Sequence, residues 1–81
     1  MISSRERRVL RAIRAVQPLD WRDAVWLIGR LAGEVEERRG SRTAFFLRGK
    51  TVVFHCPHPG SEMGRAQVRD LKGFLKLAGV L

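Results

Sequence analysis

Two runs of strand-forming residues, Arg42 to Arg48 and Thr51 to Cys56, flank Gly49-Lys50, and this arrangement constrains the fold more than any other stretch of the chain. A two-residue connection with glycine at its first central position suits a type II′ turn, so the runs predict an antiparallel hairpin. Alternation along the returning strand sets Val52, Phe54 and Cys56 on one face and Thr51, Val53 and His55 on the other. One face is thus apolar and needs a covering layer.

The flanking segments supply that layer. Ser3 followed by Glu6 has the form of a capping box, and Val9, Ile13 and Val16 recur behind it at helical spacing. A first helix is expected from about residue 4 to 16, stopped by Gln17-Pro18, with Arg5, Arg7, Arg8, Arg11 and Arg14 making its outer face basic. Asp20 is the expected N-cap of a second helix that carries Trp21, Val25, Ile28 and Ala32 on one stripe, with Leu27 and Leu31 beside it. Gly33 is placed at its C′ position. Trp21 and Trp26 read as core and rim packing in preference to base-stacking platforms. Glu34 to Arg39 has one apolar residue, Val35, among charges, the pattern of an edge strand protected by its own charge.

Pro57-His58-Pro59-Gly60 cannot continue a central strand, because each proline lacks a donor for the ladder, and it is expected to be a loop. Beyond it Val68, Leu71, Leu75 and Ala78 form the apolar stripe of a last helix closed by Gly79. On the neighbouring face Arg65, Arg69, Lys72 and Lys76 fall within roughly 60° of one another and make a basic ridge. The order helix, helix, strand, strand, strand, helix predicts an α+β domain, a three-stranded antiparallel sheet with helices on one face.

Eighty-one residues support a single small core, and 16 Lys and Arg against eight Asp and Glu leave a formal charge of +8. Only Lys50, Lys72 and Lys76 are lysine; the other cations are arginine, whose fork matches phosphate and carboxylate bidentately. Anionic partners are implied: RNA, DNA or an acidic protein. A basic surface kept for solubility is the plain alternative. No apolar run approaches the ~20 residues that span a bilayer, so no membrane partner is expected. With one cysteine and no leader of signal-peptide type, the expected location is cytoplasmic.

Three kinds of chemistry bear on His55, Cys56 and His58. A metal site lacks an obvious fourth ligand, and alternation points His55 and Cys56 to opposite faces, so neither a metal nor another cofactor is expected. Cys56 shares a face with Phe54 and Val52, where a thiol behaves as a small hydrophobe. Cleavage of RNA asks for less, since the substrate's own 2′-hydroxyl is the nucleophile. The protein need only take a proton, return one to the leaving oxygen and stabilise a charged transition state. His55 and His58 suit the proton steps, with Arg42, Arg48 and Lys50 in the same hairpin. A structural hydrogen-bonding role for His55 and a plain loop position for His58 fit the spacing equally well.

Taken together, Gly40-Ser41-Arg42-Thr43-Ala44-Phe45, the glycine turn, His55-Cys56-Pro57-His58-Pro59, Val68-Arg69-Asp70-Leu71, Phe74-Leu75 and Ala78-Gly79-Val80 resemble the HicA toxins of bacterial HicA/HicB toxin-antitoxin modules. The resemblance runs from about Trp21 to Val80. It implies one HicA-like domain over residues 1–81, with 1–18 an N-terminal helical extension and 19–81 the core. It also implies a fold similar to double-stranded RNA-binding domains, and an mRNA interferase that needs no metal and is neutralised by a HicB-type antitoxin. Typical HicA toxins carry the catalytic histidine immediately after Gly-Ser, whereas here Gly40-Ser41 is followed by Arg42. Arginine binds phosphate but is a poor proton shuttle. Either His55 and His58 have taken over the acid-base work, with Arg42, Lys50, Arg65, Arg69 and Lys72 binding RNA, or the chain binds RNA or an antitoxin without cutting.

Overall fold

The computed structural model describes residues 2–56 and 61–81. In chain order the elements are α1 (Ser4–Arg14), β1 (Leu19–Asp20), α2 (Trp21–Arg30), β2 (Glu34–Arg38), β3 (Arg42–Leu47), β4 (Lys50–His55), β5 (Glu62–Met63) and α3 (Arg65–Leu77). β2, β3 and β4 form the expected antiparallel meander, and α2-β2-β3-β4-α3 has the order of a double-stranded RNA-binding domain. β1 and β5 pair as a separate two-residue ribbon, too short to leave a periodic signal in the sequence.

Ser3 caps α1 as expected, its hydroxyl accepting from the Glu6 amide at 3.1 Å. The Glu6 carboxylate turns to α2, accepting from Arg30 Nε at 3.2 Å. α1 ends two residues before the expected limit, and Val16 lies beyond it at φ 53°. Asp20 caps α2 by accepting from the Arg22 amide at 2.8 Å. The Arg22 side chain, together with that amide, holds the Asp20 carboxyl below its ordinary range.

The end of α2 departs from expectation. Ala32, not Gly33, takes the left-handed conformation, at φ 64°. Gly33 answers a different need: a Cβ there would stand 2.5 Å from the Phe46 carbonyl oxygen and 2.8 Å from Ile28 Cγ2. Because Ala32 is exposed, Ala32→Gly relieves the backbone without losing packing. The variant is expected to be about 0.5–1 kcal/mol more stable in a denaturant titration; a lower midpoint at unchanged slope would contradict this account of the turn.

The hairpin is also displaced by one residue. Leu47 pairs with Lys50, so the central turn residues are Arg48 and Gly49, at φ 48° and 78°. Positive φ at both positions makes a type I′ turn, whose twist matches that of the flanking strands. The Arg48 guanidinium donates to the Ala78 carbonyl at 3.1 Å and ties the hairpin to the end of α3.

Alternation along the strands behaves as expected. Phe45, Leu47 and Phe54 face the helices and His55 faces solvent. Trp21 joins Phe45 and Phe54 in an aromatic cluster, with ring centroids 5.5 and 6.3 Å away and the two phenylalanine rings 5.4 Å apart. Leu27 and Ile28 of α2 and Val68, Leu71 and Leu75 of α3 complete this layer, all with no exposed surface. α1 packs on α2 and α3 and contributes Val9 and Ile13, also fully buried, to the same core.

Candidate nucleic-acid interface

The sheet leaves one face uncovered, and its basic groups collect at one end. Arg38 pairs with Arg42 across β2 and β3, and Arg42 pairs with His55 across β3 and β4. All three are exposed, so they form one row across the sheet. The Cys56 amide donates to the Ser41 carbonyl at 2.8 Å, which makes Arg42 and His55 a non-hydrogen-bonded pair. Such pairs hold their side chains closest, with Cα atoms about 4.5 Å apart.

The arginines near this row are not equally available. Arg38 is 3.3 Å from Glu36 and Arg22 is 3.1 Å from Asp20. Arg5 and Arg8 both reach Asp23, at 3.0 and 3.5 Å. Among the described residues the Arg42 guanidinium makes no ion pair, nor do those of Arg39 and Arg65, so its fork of donors is open to an external anion. The His55 carbonyl accepts from Gln67 Nε2 at 3.0 Å, which fixes the end of β4 against the first turn of α3 and leaves the imidazole outside.

The remaining expected residues divide. Arg65 opens α3 beside this end of β4, and Arg69 follows it one turn on, both exposed. Lys50 is not brought to His55. It begins β4 and His55 ends it, about 17 Å apart at ~3.4 Å per residue, so hairpin proximity in sequence misleads. Lys72 is half-buried and donates to the Arg14 carbonyl at 2.8 Å, capping α1. His58 lies outside the described residues. Cys56 is half-buried on the side of Phe54. Among the described residues no three His, Cys, Asp or Glu side chains converge as a metal set would.

Sequence reasoning overlooked the groove beside the row. Between α2 and the β2–β3 turn, where Gly40 and Ser41 both have positive φ, lies a depression of about 650 Å³. Trp21, Val25 and Trp26 form its apolar wall, and Arg22, Arg38 and Arg42, with the carboxylate of Glu37 among them, its charged one. Trp21 also walls a smaller cleft of about 400 Å³ with His55 and Gln67 on its other side. The signal was available: an N-cap at Asp20 puts Trp21 and Val25 one turn apart, with Arg22 and Trp26 beside them.

The protein family described as HicA toxin of bacterial toxin-antitoxin matches the chain over residues 21–80. No curated protein and no solved structure matches it.

Proposed function

The chain belongs to the HicA toxin family, and from that premise we propose that it is a metal-independent mRNA interferase, held inactive in the cytoplasm by a HicB-type antitoxin. The observation that carries the reading is the Arg42–His55 pair. Where the family's histidine is expected after Gly-Ser, Arg42 stands instead, and the register brings an imidazole to it from the next strand.

The chemistry divides accordingly. His55 removes the proton of the substrate's 2′-hydroxyl as that oxygen attacks the adjacent phosphorus. The Arg42 fork takes the two non-bridging oxygens as their negative charge grows. His58, three residues further along the chain, returns a proton to the 5′-oxygen as the phosphorus–oxygen bond breaks. The products are a 2′,3′-cyclic phosphate and a 5′-hydroxyl. Arg65 and Arg69 extend the phosphate track along α3. Lys50 stands too far away to share the same phosphate, and the Lys72 ammonium is already engaged. The charge of +8 draws either mRNA or an acidic antitoxin face.

Purified protein in excess chelator is expected to cut single-stranded RNA, leaving cyclic-phosphate and 5′-hydroxyl ends. A substrate with deoxyribose at the cleaved position should stay whole. RNA that is bound in a salt-sensitive manner yet remains uncut would favour the second reading, a binding module in which Arg42 marks lost chemistry.

A further inference from the structure

We propose that the groove between α2 and the β2–β3 turn is a nucleobase subsite that takes one unpaired base of the RNA next to the scissile phosphate. The proposal rests on the nuclease reading for the position of that phosphate, while the groove itself is argued from its own walls.

Its size suits the occupant. At about 650 Å³ it falls within the ~300–1,000 Å³ of small-molecule sites, room for a nucleotide and its solvent. Its chemistry is that of single-strand recognition, with indole surface for stacking and guanidinium groups for the backbone. Both tryptophans of the chain line it. Trp21 is fixed from behind by Phe45 and Phe54, and Trp26 by Arg5, whose guanidinium carbon lies 4.3 Å from the ring centroid and is itself held by Asp23 at 3.0 Å. A wall braced in this way loses little freedom when a base arrives.

The position suits it too. Arg42 borders the groove and opposes His55, so a phosphate on Arg42 has the groove on one side and the His55 cleft on the other, with Trp21 between. Three arginines against one carboxylate, Glu37, line the groove, and Arg42 is without an ion pair among the described residues, so a polyanion is favoured over an uncharged peptide. The apolar wall favours an unpaired base over a duplex, whose bases are already stacked.

The absence of tyrosine makes the two tryptophans the natural reporters. A short single-stranded RNA titrated into the full-length His55→Ala variant should quench the indole fluorescence. An oligonucleotide of the same length with one abasic position, moved along the strand in steps, should bind about tenfold more weakly at one register only. Trp26→Phe should reduce the quenching and shrink the abasic penalty, while an unchanged thermal midpoint shows that the fold is kept. Equal affinity for every abasic register, with no quenching, overturns the subsite even if the wild-type chain cleaves RNA. Base-dependent quenching without cleavage by the wild type keeps the subsite and removes the nuclease reading. Quenching by an acidic antitoxin but not by RNA overturns the proposal and assigns the groove to the protein partner.

Discussion

Replacing His55 with alanine is expected to slow RNA cleavage by about 10²–10⁴-fold, the usual contribution of a positioned general base. The fold should not register the change. The side chain is exposed, and the hydrogen bond that anchors this end of β4 belongs to the His55 carbonyl, which alanine retains. Binding should therefore survive, and the loss should appear in the rate of the chemical step. Arg42→Ala is expected to act differently. It removes an unpaired guanidinium that meets the phosphate in both ground and transition states, so affinity and rate fall together, with a rate loss on the order of 10²-fold. Arg42→Lys should restore part of the affinity and little of the rate, because a point charge cannot replace a two-pronged donor. If the two groups serve one phosphate, the double variant loses much less than the product of the single losses. Full activity in His55→Ala would remove the imidazole from the mechanism and leave the role of the missing family histidine unfilled.

Whether Arg42 meets His55 was a question the chain could pose but not answer, and the reason lies in the turn. With Gly49-Lys50 at its centre, counting back along the hairpin opposes His55 to Ala44. With Arg48-Gly49 at the centre, as found, His55 opposes Arg42. A shift of one residue in the turn moves each partner by two while keeping every side chain on its face. Facing was therefore legible from alternation, as Phe54 inside and His55 outside attest, and partnership was not. The same distinction runs through the basic residues. Thirteen arginines and three lysines declare an anion-binding chain, but Lys72 and Arg48 spend their donors on the carbonyls of Arg14 and Ala78, residues 58 and 30 positions away. Helix ends leave carbonyls without partners, and long cations from other elements are well suited to meet them. Such pairings depend on tertiary placement, which helical spacing does not encode. The groove is hidden in the sequence for a related reason: Trp21 packs in the core as expected, and the same residue also lines the depression.

Ile13→Ala is expected to be among the most damaging single substitutions, costing about 3 kcal/mol and lowering the thermal midpoint by roughly 10–20 °C in a domain of this size. Residues 1–20 precede the segment that matches the family, and a helix outside a matched segment invites the view that it is an appendage. The packing argues otherwise. Ile13 and Val9 have no exposed surface, and the Arg30–Glu6 ion pair and the Lys72 hydrogen bond to Arg14 fasten the same helix from α2 and α3. Truncating Ile13 opens a cavity between these helices that the braced neighbours cannot readily fill, whereas Leu77→Ala, at a position 73% exposed, should shift the midpoint by only a few degrees at most. A small shift in Ile13→Ala would mean that α1 can lift away while α2, the sheet and α3 stay folded. A large one makes α1 part of the cooperative unit, and the +8 surface, the Arg42–His55 pair and the tryptophan groove then all depend on a helix that the family's match does not reach.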